Sequence, residues 1–318
     1  MNAAQSVSSP LVTTGQKFRY ALRIRRLEFL PVHLSVILTA AFLGAASADQ
    51  LRSGKTLAVV VAFLLGLHAG NMANCVADRE LDLIYKGRLA EAVDGLGKRN
   101  IVIQIVTHIV LVLLLGAYVT ASSGHWEIAV LGVVWIVVGF EYSLPPLRLK
   151  GAGVFQSVTL ASTIALLPGI MMIRAIGTVP EWAAFIAFLG YATAMTMVNL
   201  INQTEDIPED AKFGIMTSAR ALGLTGTVTT ALVLVAIGTT TFLVAAVSLG
   251  AYWWAAGLYA VAALFTLRFI SGILRGVRGK PLDDAILIAR ENTRRLPLYG
   301  AVMGWGSVVL AMAVFAAR

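Results

Sequence analysis

The chain has 318 residues, of which 58% are hydrophobic and 13% charged, and a mean hydropathy of +0.80, a composition that excludes an ordinary soluble globular protein and predicts an integral membrane one. Its net charge of +8 comes from Lys and Arg in short loops between apolar stretches, a positive-inside pattern, so no nucleic-acid partner is expected. The single cysteine, Cys75, excludes an intramolecular disulfide and the Cys-rich metal sites.

In chain order, residues 1–16 are small and polar and are expected to form a disordered tail, leaving 17–318 as a single transmembrane domain. Lys17, Arg19, Arg23, Arg25 and Arg26 then lead into an apolar stretch ending at Ala46, Ser47 and Ala48, which superficially resembles a cleaved signal peptide. The long polar lead favours an uncleaved first span instead. Apolar segments of about 20 residues, enough to cross a hydrocarbon core, follow at roughly 29–48, 56–74, 101–121, 127–142, 153–173, 181–202, 225–249, 251–271 and 297–316. The expected fold is therefore all-α and integral to the membrane, with about nine transmembrane helices.

The amino terminus and the loops after spans two, four, six and eight hold 21 of the 25 Lys and Arg, while Arg52, Lys55, Arg174 and Arg318 lie on the opposite side. This asymmetry places the amino terminus and the even-to-odd loops in the cytoplasm. A multi-pass protein of the plasma (inner) membrane is expected.

At the end of the second span, Asn74, Asp78 and Asp82 are spaced i, i+4, i+8 and share one helix face over roughly 12 Å. The same Asn-x3-Asp-x3-Asp pattern returns after the sixth span as Asn202, Asp206 and Asp210, every anchor displaced by 128 residues. Two copies, 74–82 and 202–210, on the same membrane side suggest two arms of one polar site.

Between spans four and five, Pro145 and Pro146 end the helix and direct Arg148 and Lys150 to that surface. The stretch 271–295 mixes basic, acidic and apolar residues, and reads either as an amphipathic cytoplasmic cap over the two motifs or as an anchor on anionic lipid. His68, inside the second span, could face a cavity as a proton acceptor or pack between helices. Glu205 and Glu209 could ligate or face water.

Asn and Asp oxygens, with no Cys-rich or His cluster, favour a hard cation, and Mg²⁺ is the natural one. Such an ion is held by one or two carboxylates together with substrate phosphate. Arg148 and Lys150, with Arg88 and Lys212 near the motifs, would suit a diphosphate bridged by the metal. A diphosphate at the mouth of an apolar bundle points to a substrate with an apolar tail, such as an allylic isoprenyl diphosphate, whose ionisation is promoted by neutralising the leaving group.

With these features the chain resembles the UbiA superfamily of intramembrane prenyltransferases. The likeness rests on the nine spans, the paired Asn/Asp motifs, and the run from Tyr142 to Lys150, which is similar to that family's Tyr-Ser-x-Pro-Pro-x-x-x-Lys signature. Arg25, Arg26 and Pro31 look like the family's entry into its first helix. The resemblance implies a helix bundle around a central cavity and an enzyme that transfers the prenyl group to a small acceptor, expected to be aromatic. It further implies that Asn74, Asp78, Asp82, Asn202, Asp206 and Asp210 bind Mg²⁺, with the four aspartates catalytic, and that Tyr142 and Lys150 contact the diphosphate or shape the cavity.

Two positions depart from the family pattern. Cys75 stands where most members have Asp, so that one ligand, or a group supporting one, is expected to be missing. The usual Arg-Pro after the first motif is absent as well. These departures motivate an alternative, a terpene cyclase of the same superfamily that acts on the diphosphate without an acceptor. A third reading, a transporter with an acidic ion path, is disfavoured because no ionisable pair lies near mid-span.

Overall fold

Within a hydrocarbon layer, backbone N–H and C=O groups find no partner except one another, so long apolar runs become helices. A computed structural model of the chain, describing residues 13–177 and 181–318, has helices and no strand among those residues. Residues 1–12, most of the expected tail, lie outside the described residues. Its last residues are ordered: the helix α1 (Thr14–Ile24) starts there, because Thr13 and Gln16 form a reciprocal capping box.

The elements in order are α1, α2 (Leu30–Gly44), α3 (Ala48–Arg52), α4 (Gly54–Ala77), α5 (Arg79–Tyr85), α6 (Gly87–Leu96), α7 (Lys98–Ser123), α8 (Glu127–Glu141), α9 (Val154–Ala161), α10 (Leu167–Ile176), α11 (Glu181–Thr204), α12 (Ile207–Lys212), α13 (Ser218–Ser248), α14 (Trp253–Val277), α15 (Leu282–Thr293) and α16 (Leu296–Ala316). Among the described residues, eight continuous helical stretches are long and apolar enough to cross a membrane, two of them joined elements: Leu27–Gly44, which contains α2, and Val154–Ile176, which contains α9 and α10. The fourth expected span is α8, whose 15 residues rise only about 22 Å. It ends at Glu141 with Tyr142 as its cap, three residues ahead of Pro145 and Pro146, which cannot continue a helix.

Span α9–α10 is interrupted by a π-helical turn, Ser162–Leu166. There the Leu167 N–H donates to Ser162 O. In the same register the partner of Thr163 O would be Pro168, which has no N–H, so this carbonyl is left without a backbone donor.

The centre of the bundle is aromatic and small-residue packing. Phe188, Tyr191, Phe242 and Tyr259 are fully buried. α11 and α13 touch backbone to backbone at Gly190 and Gly238, where a Cβ on Gly238 would lie 2.4 Å from Ala194 N, the close approach that small residues permit between membrane helices.

Candidate active site

Each Asn/Asp motif sits where a span breaks into a short helix. The break falls at the middle aspartate in both copies, Asp78 with φ −93° and ψ 7° and Asp206 with φ −89° and ψ 0°. In the first copy the helical ladder survives the bend, since Asp78 N–H donates to Asn74 O and Asp82 N–H to Asp78 O, both at 2.8 Å. The i, i+4, i+8 face expected from spacing is thus kept but bent, and the last carboxylate of each copy is turned inward. Asp82 and Asp210 are 4% and 5% exposed.

Both copies open onto one cavity of about 280 Å³, lined by all six motif residues together with Tyr142 and Lys150. The middle aspartates are neutralised by lysines from elsewhere in the chain. Lys150 Nζ lies 2.5 Å from Asp78 Oδ2, and Lys86 Nζ lies 3.4 Å from Asp206 Oδ2. Asn74 Nδ2 also donates to Asp78 Oδ2, at 3.0 Å, and to Ser143 Oγ. Burial drives the Asp82 and Asp210 carboxyls up to about 6, against the opposing pull of Lys86 and Lys150.

Tyr142 is held by Gln156, whose amide donates to its hydroxyl at 3.1 Å while Gln156 Oε1 accepts from Ser218 N–H at 2.8 Å. The backbone of Lys150 bonds back to Tyr142 O, closing the proline loop so that the Lys150 side chain enters the cavity. Arg148 has a left-handed backbone, φ 42°, and is half exposed; its guanidinium reaches 3.9 Å from Asp78 Oδ1 without lining the cavity.

Two expected diphosphate ligands are placed elsewhere. Arg88 is exposed on α6, its carbonyl accepting from Arg23 at 3.1 Å. Lys212 is exposed and stands over the Tyr85 ring, 5.9 Å from its centroid. Neither lines the cavity: Arg88, six residues past Asp82, and Lys212, two past Asp210, each sit on the exposed side of a short helix.

Cys75 is likewise not in the position of a lost ligand. One residue past Asn74, its side chain points about 100° round the helix, away from the cavity. It is buried with Ile24, Met72, Ala92, Val93 and Ile101, its Sγ 3.8 Å from Ile24 O. His68 packs against His108, ring centroids 6.4 Å apart, and is not among the cavity residues.

Several groups are at the site that sequence reasoning passed over. Lys86 follows Asp82 by one turn, and the same i+4 step that links the motif residues would have flagged it. Asn71 and Asn199 line the cavity and are themselves 128 residues apart, so the repeat is longer than the three anchors: Asn-x2-Asn-x3-Asp-x3-Asp. The cap expected at 271–295 includes α15, which bonds to the second arm: Thr293 donates to Glu205 Oε2 at 2.6 Å and Arg290 pairs with Glu209.

Among the described residues, no three His, Cys, Asp or Glu side chains converge on a point where they could hold an ion. Oxygens suited to a hard cation are nonetheless present. Asp78 Oδ1, Gln203 Oε1 and Glu209 Oε2 are buried without a hydrogen-bond partner, and the donor set is oxygen only, as Mg²⁺ prefers.

The chain matches the UbiA prenyltransferase family over residues 34–281 and belongs to that family. A 1,4-dihydroxy-2-naphthoate octaprenyltransferase of Bacillus subtilis (strain 168) is 29% identical over 120 residues, a match that spans 37% of this chain and 37% of that protein. Among solved structures, a digeranylgeranylglyceryl phosphate synthase superposes with a TM-score of 0.66 at 15% identity, covering 93% of this chain and 99% of that one. A UbiA homologue from Archaeoglobus fulgidus bound to DMAPP and Mg²⁺ gives 0.62 at 18% identity, over 89% and 99%. At these identities the structural likeness is one of fold.

Proposed function

We propose that the protein is a Mg²⁺-dependent intramembrane prenyltransferase that ionises an allylic isoprenyl diphosphate and transfers the prenyl group to a small aromatic acceptor, with residues 17–318 acting as one domain. The observation that carries this reading is the convergence of two acidic arms and two lysines on the mouth of a cavity whose deeper wall is apolar. The bound ligands of the Archaeoglobus fulgidus homologue, DMAPP or GPP with Mg²⁺, support the donor class. The name of the Bacillus subtilis relative supports an aromatic acceptor.

In this reading Asn74, Asp78 and Asp82 from one arm and Asn202, Asp206 and Asp210 from the other hold the metal. The chemistry supplied by the ion when bound is neutralisation of charge on the departing diphosphate. Lys150 and Lys86, released from Asp78 and Asp206, turn to the phosphate oxygens, with Arg148 at the rim. Tyr142, fixed by Gln156, shapes the neck between the polar mouth and the apolar shaft. The positive-inside count supports a cytoplasmic amino terminus and a site open to the cytoplasmic face of the plasma membrane.

The test is incubation of the purified protein with Mg²⁺ and C10, C15 and C20 allylic diphosphates, with and without a panel of phenolic acceptors. Acceptor-dependent products lost in both Asp78→Ala and Asp206→Ala are expected. Cyclic products formed without acceptor would make the protein a terpene cyclase, and full turnover in both variants would sink the assignment of the arms.

A further inference from the structure

The cavity stops at one level. Of its lining residues, those furthest along their helices from the polar motifs are Val36 on α2, Gly66 on α4, Trp135 on α8, Ala165 in the π turn and Ala192 on α11. Four of these are small or aliphatic, and the fifth is a tryptophan laid over Gly66: a Cβ there would lie 2.1 Å from Trp135 Cη2. Phe63, 2% exposed, stacks with the indole at a centroid distance of 6.4 Å. One turn further on, the bundle is solid; Phe188 is fully buried and its ring fills the space a Gly169 side chain would take.

The indole is also fixed in orientation. Trp135 Nε1 donates to Thr163 O at 2.6 Å, the carbonyl left without a backbone donor by the π turn and Pro168. Flipping the ring away would orphan that buried acceptor. No residue of α14 or α16 lines the cavity, and α16 closes against α2 at Gly304, where a Cβ would lie 2.2 Å from Ser35 Oγ.

We propose that Trp135 is the floor that limits the length of the prenyl tail, making the donor an allylic diphosphate of ten to fifteen carbons. This rests on the prenyl-diphosphate reading above and adds to it the size of the tail. From Asp78 at the mouth to Gly66 at the floor, α4 rises about 18 Å. An extended chain advances about 1.3 Å per bond, so a four-bond isoprene unit takes about 5 Å. Three units reach the indole and a fourth meets it.

The wall above the floor offers an independent handle. Trp135, Gly139 and Tyr142 are spaced i, i+4, i+7 and all line the cavity, so they share one face of α8. A Cβ on Gly139 meets nothing within 4 Å. A larger side chain there enters the shaft one turn above Trp135, about 6 Å higher, the length of one isoprene unit.

The test uses the full chain, purified with Mg²⁺, and the unreactive geranyl, farnesyl and geranylgeranyl S-thiolodiphosphates, with ligand affinity read from thermal stabilisation. The wild type is expected to bind the C10 and C15 analogues and to bind C20 at least tenfold more weakly. Trp135→Leu brings C20 level with C15; Gly139→Leu, which removes no contact, weakens C15 at least tenfold and leaves C10 unchanged. Equal wild-type affinity for C15 and C20 overturns the floor, as does a length preference unmoved in Gly139→Leu. Failure of all three analogues to bind instead overturns the prenyl-diphosphate reading, and the floor falls with it.

Discussion

Lys86 Nζ lies 3.4 Å from Asp206 Oδ2, which ties the end of the first acidic arm to the middle of the second across 120 residues of chain. Both side chains are partly exposed, 39% and 28%, so the pair contributes little to folding, about 0–1 kcal/mol. Lys86→Met is therefore expected to leave the melting temperature nearly unchanged. It should weaken diphosphate binding about tenfold, the loss of one charge-assisted contact. Titration with a prenyl thiolodiphosphate alongside a melting curve separates the two effects.

Lys150 and Asp78 behave differently because they are buried, at 14% and 6% exposure. Lys150→Met leaves Asp78 with Arg148 at 3.9 Å as its remaining cation, and a loss of about 3 kcal/mol is expected. Adding Asp78→Asn removes the uncompensated charge. The double variant should regain most of the stability, yet no turnover, in parallel denaturation and activity measurements.

The two inward carboxyls set a pH dependence. Without metal, Asp82 and Asp210 titrate near 6, above the 3.8 of a free Asp side chain, because burial penalises the charged form. The folded state then binds more protons than the unfolded one between about pH 4 and 6, so their contribution to metal-free stability falls as pH rises through that window. In the proposed function Mg²⁺ binds these groups as carboxylates and so would displace those protons. Its apparent affinity should drop about tenfold per pH unit per proton released below pH 6 and level off above 7, which calorimetric titration in buffers of different ionisation enthalpy will detect.

Trp135→Phe keeps a ring on the floor but removes the donor to Thr163 O. The orphaned carbonyl should cost about 1–3 kcal/mol, with the order of preference among C10, C15 and C20 donors retained. Chemical denaturation and ligand competition on the same preparation check both halves.

Cys75→Ala is expected to cost about 1 kcal/mol through lost packing against Ile24 and Val93, with Mg²⁺ and donor affinity unchanged. A marked loss of metal affinity in this variant would restore Cys75 to the site.

Hydropathy made the membrane class and the span positions legible, since each span is a property of a contiguous run of residues. Spacing made the doubled motif legible for the same reason: i, i+4, i+8 on one helix needs no knowledge of the partner helices. The short fourth span was legible too, read at 127–142 and found as α8 over 127–141, but one local detail escaped, since the π turn at 162–166 carries no simple sequence mark. Pairing was decided by tertiary structure alone. That Lys150 meets Asp78, that Lys86 and not Arg88 or Lys212 enters the site, that Cys75 turns into packing, and that Trp135 covers Gly66 all depend on how helices distant in sequence are rotated and set against one another. Helix rotation is fixed by side-chain interlocking across the whole bundle, where a change of one residue moves a side chain by about 100°, and no local stretch of sequence encodes that angle.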